Sequence, residues 1–127
     1  FIVESVSAIS EPVAYWSPWY NKHITCKAGQ DGTKLVNDIL KKGKKFLNKG
    51  GKIIFPIVSL SNKDKIIKVA KKNYKTVKLL SSKSWPLPKV LYKYEKQLEQ
   101  LKKKKLIEYK KKFGIILYSS YVFVAVK

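Results

Sequence analysis

The sequence predicts an α/β fold: a sheet of mostly parallel strands joined by helical crossovers, with an antiparallel C-terminal edge. Three observations lead there. A nearly continuous apolar run, Ile53-Ile54-Phe55-Pro56-Ile57-Val58, has the pattern of a strand buried on both faces. Segments with helical spacing alternate with short strand-like runs along most of the chain. The last two strand-like runs follow one another with no helix between them, which calls for an antiparallel pair.

Taken in order, Phe1 to Ile9 carries Ile2, Val3, Val6 and Ile9 and reads as a strand entering a loop at Ser10-Glu11-Pro12. Val13 to Gly32 is aromatic and rich in turn residues, and is predicted to be a long loop. Thr33 to Asn48 places Leu35, Val36, Ile39, Leu40, Phe46 and Leu47 on one helical face, with Asp31 or Thr33 as N-cap and Gly50-Gly51 as the stop. In the apolar run that follows, Pro56 has no N–H to donate, so the strand must bend or lose part of its ladder there. Ser61 opens a second helix with Ile66, Ile67, Val69 and Ala70 on its buried face. Val77 to Leu80 is a short strand. Pro86 and Pro88 precede a third helix, Lys89 to Lys105, with an apolar stripe of Val90, Leu91, Tyr94, Leu98 and Leu101. Phe113 to Leu117 and Tyr121 to Val126 are the closing strands, with Ser119-Ser120 as a turn or bulge between them. Residues 1–127 are read as one domain, with 45% hydrophobic residues to supply its core.

The formal net charge is +20, yet all 28 basic residues are Lys. Arg, whose planar fork suits guanine and phosphate, is absent. A Lys- and Ile-rich composition also follows from an AT-rich genome, so the lysines are expected to scatter over all surfaces. The single Cys excludes an intramolecular disulfide and a thiolate cluster, which makes a reducing, cytoplasmic setting the default. No apolar run reaches the ~20 residues of a membrane span, so no membrane partner is expected. The chain holds no Met and opens on Phe1-Ile2-Val3. It reads as starting inside a domain, as a fragment or one chain of a split protein.

Ala28-Gly29-Gln30-Asp31-Gly32, an amphipathic helix, Gly50-Gly51 and the buried strand from Lys52 follow one another in an order that resembles class I S-adenosylmethionine-dependent methyltransferases. The similarity is strongest to the enzymes that methylate glutamine amides of release factors. It covers most of the chain, above all Ser17 to Leu60. The resemblance implies a Rossmann-like methyltransferase sheet, N-terminally incomplete here, and methyl transfer to a nitrogen of a protein or nucleic-acid acceptor. Ser17-Pro18-Trp19-Tyr20 looks like a variant of the family's N-P-P-Y motif, with Ser for Asn and Trp for the second Pro. Carried over, Ser17, Pro18 and Tyr20 are the catalytic residues: the Ser17 hydroxyl and the Pro18 carbonyl hold the target nitrogen, and Tyr20 stacks on the planar group. Trp19 and Asp31 are the substrate-binding residues. The alternative for the aromatic segment is a cover over one end of the sheet.

The family holds its cofactor at a Gly-rich turn after the first strand and at an acid ending the second. Gly50-Gly51 precedes a strand and cannot serve as that turn. The expectation is therefore that S-adenosylmethionine binds only with an additional N-terminal half, supplied upstream or by a complementary chain. Four other residues have weaker claims. His23, the only His, excludes a His-rich metal site. Cys26 reads as a half-buried structural thiol. Glu4 and Glu11 flank the first loop, Glu4 near the strand end where open α/β sheets place ligands. A reading from another class also stands: a non-catalytic, Lys-rich RNA- or ribosome-associated module with a degenerate methyltransferase fold.

Overall fold

A computed structural model describes residues 1–6, 8–20 and 26–127. Among these residues, five strands form one open sheet: β1 (Ile2–Val3), β2 (Lys52–Val58), β3 (Thr76–Pro86), β4 (Lys110–Lys112) and β5 (Ile115–Val126). Four α-helices accompany them: α1 (Glu11–Trp16), α2 (Lys34–Gly43), α3 (Lys63–Asn73) and α4 (Glu95–Lys103). The strand order is β1-β2-β5-β3. β1 and β2 run parallel, and β5 runs antiparallel to both β2 and β3. β4 also pairs with β5, in the register Lys110↔Leu117 to Lys112↔Ile115, beyond the end of β2.

The mixed α/β class is as expected, and so is the interior position of β2, but only the β1–β2 pairing is parallel. Nor is β2 buried on both faces: Ile53, Phe55 and Ile57 are buried, whereas Ile54, Pro56 and Val58 are half-buried because the cover on their side is incomplete. The antiparallel strand is not at the edge, however. β5 lies inside the sheet, between β2 and β3, and β3 is the edge strand. Nor is β5 two strands. Ser119-Ser120 is neither turn nor bulge but sits mid-strand, where the Trp85 indole N–H donates to the Ser120 hydroxyl at 2.8 Å and the Ser119 amide donates to the Ser59 hydroxyl at 2.8 Å. The turn lies earlier, at Phe113-Gly114. Both residues have positive φ (51° and 75°), the requirement of a two-residue type I′ hairpin, and Phe113 is exposed there instead of being a strand residue.

Other boundaries move for local reasons. The first strand is Ile2–Val3 rather than Phe1–Ile9, extended by a single bond from the Glu4 amide to the Ile54 carbonyl. The expected long loop contains α1, started by Pro12 in its first turn and anchored by buried Val13 and Ala14. The helix expected over Thr33–Asn48 ends at Gly43 and tightens into a 3-10 turn over Lys44–Phe46, which leaves Phe46 exposed. β3 is longer than Val77–Leu80 because it pairs along most of β5, with one irregularity between Leu79 and Ser81. The helix expected over Lys89–Lys105 is a 3-10 segment, Lys89–Tyr94, followed by α4, and Val90 is exposed.

Pro56 behaves as its chemistry demands. Ile54 turns its backbone polar groups toward β1, and Pro56, two residues on, faces the same side. The parallel ladder ends before Pro56, while pairing with β5 continues through Pro56↔Val122.

Two apolar clusters hold the layers together. On one face of the sheet, Ile53, Phe55, Ile57, Phe123 and Ala125 pack against Val36 and Leu40 of α2 and Ile66 and Ala70 of α3. Full burial of a side chain such as Phe55 is worth about 1.5–3 kcal/mol. On the other face, Leu60, Leu87 and Ile116 pack under α1, Leu91, and Leu98 and Leu101 of α4. That second cover stops short. Val3, Ile54, Pro56, Val122 and Val124 lie on this face and belong to neither cluster.

Candidate functional site

Three connections meet beyond the C-terminal ends of β1 and β2. Gly32 (φ +74°) is at their centre: a Cβ there would lie 2.6 Å from the Ile9 backbone and 2.8 Å from the Ser61 Cβ, so only glycine fits. The Ser10 amide donates to the Leu60 carbonyl (2.8 Å), the Glu11 amide to the Gly29 carbonyl (3.0 Å), and the Asn62 amide to the Asp31 carbonyl (2.8 Å). The Glu11 carboxylate accepts from the Gly29 amide at 2.9 Å. The Gly29-Gln30-Asp31-Gly32 turn thus ties the loop after β1 to the loop after β2.

On the incompletely covered face beside this knot is an apolar cleft of about 270 Å³. Trp19, Tyr20, Tyr118, Pro56, Val58 and Val6 are among its lining residues. Trp19 meets Tyr118 edge-on, ring centroids 5.6 Å apart, and remains 43% exposed. Partial burial raises the Tyr118 phenol above its ordinary pKa, so it is neutral at physiological pH. Trp16 faces the other way and stacks on Tyr94 at 4.9 Å, fixing α1 to the helical cover.

The structure separates the residues singled out in the sequence. Trp19 and Tyr20 line the cleft together. Ser17 ends α1 with its side chain buried; its hydroxyl donates to the Ala14 carbonyl at 2.8 Å and accepts from the Trp19 amide at 3.3 Å. It shapes the turn that presents Trp19. Pro18 is exposed in that turn. Asp31 does not line the cleft. It accepts from the Thr33 amide and hydroxyl and pairs with Lys65 at 3.1 Å. Burial raises its pKa, but the bonds from Thr33 and Lys65 outweigh that and hold the carboxyl below its ordinary value.

Glu4 ends β1 as expected, but its side chain is buried. One oxygen accepts from the Val6 amide at 2.9 Å and the other has no partner among the described residues. Desolvation dominates and raises its pKa. Cys26 is half-buried, its thiol 3.7 Å from the Ile9 carbonyl. His23 lies outside the described residues. Among the described residues, no group of His, Cys, Asp and Glu is placed to hold a metal ion. No helix formed by those residues is long and apolar enough to cross a membrane.

Two features were not visible in the sequence. Tyr118 completes the aromatic wall from the far end of the chain, and only its place in an alternating terminal strand hinted at a directed side chain. The second is a groove of about 830 Å³ between α3 and the segment after α4, lined by Lys63, Lys65, Lys68, Lys71 and Lys105 with Asp64 and Glu108. It begins at Ser61, the residue after Leu60 of the cleft.

No family model, curated protein or solved structure matches the chain.

Proposed function

We propose that the chain is the acceptor-side half of a Rossmann-like, S-adenosylmethionine-dependent methyltransferase, acting on a nitrogen of a protein or nucleic-acid substrate. The observation that carries this reading is the aromatic cleft, built by Trp19 and Tyr20 of the N-P-P-Y-like segment where the C-terminal ends of two parallel strands place a ligand. A long antiparallel strand late in the chain, set beside the parallel pair, agrees with the resemblance noted above.

The cleft suits one planar group. Trp19, Tyr20 and Tyr118 supply aromatic rings to its lining, Pro56 and Val58 add apolar surface, and Pro18 is on the exposed turn beside them. Ser17 acts as a positioning residue, since its hydroxyl is committed to the turn.

The residues present do not fit the cofactor. Gly50, the best glycine candidate for a cradle, opens onto empty space at the start of β2, and its amide donates to the Lys127 carbonyl. A further polypeptide segment must therefore hold S-adenosylmethionine. The far side of β1 carries no strand among the described residues, and the adjoining sheet face exposes Val3. The lysine distribution favours the same docking surface: residues 1–20 contain none of the 28 lysines, only Glu4 and Glu11 as charges.

The test is methyl transfer from labelled cofactor by the intact gene product, compared with Trp19→Ala and Tyr20→Ala. Each substitution should lower kcat/KM by about ten-fold or more while cofactor affinity stays within about two-fold. An intact product that binds no S-adenosylmethionine would overturn the reading.

A further inference from the structure

The groove beside α3 gathers lysines from two separate segments of the chain. Five lysines meet two carboxylates in one concavity. Among the described residues Lys65 of the five is held in an ion pair, to Asp31, and the Lys63 ammonium lies over the Tyr121 ring, 4.4 Å from its centroid, while Glu108 is paired with Lys102 at 3.4 Å, outside the groove lining. Lys63, Lys68 and Lys71 come from one side of α3, while Lys105 comes from the opposite wall.

Lys105 gives the independent clue. It has φ +60°, and the Leu106 amide donates to the Leu101 carbonyl while the Lys105 amide donates to the Lys102 carbonyl. This is a Schellman ending of α4, whose left-handed position favours glycine by about 1 kcal/mol or more. A lysine held there at a conformational cost, with its side chain lining the groove, points to a role beyond ending the helix.

The partner follows from what adjoins the groove. Leu60 lines the aromatic cleft and Ser61, the next residue, lines the lysine groove, so the two concavities meet at the connection between β2 and α3. Ammonium groups along a track next to a stacking platform match a chain of phosphates whose bases have π-faces. We propose that the groove binds the phosphodiester backbone of a single-stranded nucleic acid and that the cleft takes up one of its bases. The proposal deepens the functional reading by naming the acceptor class, and rests on that reading only in calling the strand an acceptor. Binding itself requires no cofactor.

The experiment is fluorescence anisotropy of a labelled single-stranded RNA 12-mer against the purified intact protein, without cofactor, at several salt concentrations. Lys68→Gln/Lys71→Gln/Lys105→Gly is compared with Lys41→Gln/Lys42→Gln/Lys45→Gln, a triple change of equal charge on α2 and its 3-10 extension. The groove variant should bind at least about ten-fold more weakly than the control, with a log–log salt slope shallower by roughly 2–3. Lys105→Gly alone should weaken binding while melting at or above the wild-type temperature, a combination that a purely structural role cannot give. It also keeps the test valid if the triple variant does not fold. Trp19→Ala should weaken binding with the salt slope unchanged. Equal losses in groove and control variants would overturn the proposal, as would retention on anionic phosphatidylserine vesicles without oligonucleotide binding. RNA binding without methyl transfer would leave this inference standing and remove the enzymatic one.

Discussion

The two faces of the sheet are built to different standards. One, carried by Ile53, Phe55, Ile57, Phe123 and Ala125, is sealed over β2 and the adjoining stretch of β5 by α2 and α3, while Leu79 of β3, paired with Phe123 on the same face, stays exposed. The other is sealed only around Leu60, Leu87 and Ile116, by α1 and α4, and leaves Val3, Ile54, Val122 and Val124 outside any cluster. The first face is packed wherever α2 and α3 reach it. The second, in the proposed reading, awaits the segment that completes it, and the cleft lies on the boundary between its covered and uncovered parts.

The sharpest way to break this contrast is to truncate the sealed face. Phe55→Ala should destabilise the chain by about 3–5 kcal/mol in urea unfolding, because neither helix can collapse into the space. A cost below about 1 kcal/mol would mean that the sealed face is as loose as the open one. Next in size is Gly32→Ala, which forces a Cβ into backbone and disfavours the turn's φ. It should cost about 2 kcal/mol or more and weaken cleft binding without altering cleft residues.

Glu4→Gln should act in the opposite direction. With its folded pKa raised, Glu4 is least costly below the pKa of an unfolded carboxyl, and its penalty grows as pH rises through the folded value. The amide should therefore stabilise at pH 7, because it removes the desolvated charge while leaving the same polar atoms in place, and make no difference near pH 4. A thermal melt series across pH reads this directly, and equal gains at both pH values would show that charge is not the cause. The smallest effect belongs to the open face: Val124→Thr should change the isolated chain's stability by no more than about 0.5 kcal/mol. A larger loss would mean that the face is already packed.

The legible parts of the fold were those dense in apolar residues. Ile53–Val58 announced an interior strand because β1 and β5 flank it, although only its Ile53, Phe55 and Ile57 side is fully buried, and Pro56 marked where one ladder must end. β3 was half hidden in the sequence because Ser81 to Ser84 carry no apolar signal; they are held by pairing with β5 and are exposed. Ser119-Ser120 looked like a break because hydroxyls usually interrupt strands, but here their partners come from Ser59 and Trp85. Of the candidate site, Trp19 and Tyr20 could be read from their motif. Ser17's internal bonds and the arrival of Tyr118 depend on tertiary contacts that no local pattern encodes. The lysine groove was invisible for another reason: Lys63 and Lys105 stand out only when the fold brings them together from a chain in which lysines are frequent from residue 22 onward.

The position of β5 has a consequence for how the molecule is made. It is the latest of the five strands to be synthesised, yet β2, β3 and β4 all hydrogen-bond to it. Until Ile115–Val126 emerges, β2 has only the two-residue β1 beside it, and β3 has no strand partner among the described residues. Closure of the sheet is thus deferred to a late, non-local docking event, the kind that folds slowly and leaves apolar edges exposed meanwhile. Phe113-Gly114 shortens that interval by folding β5 onto β4 as a local hairpin, which gives the strand one formed partner before it finds the other two.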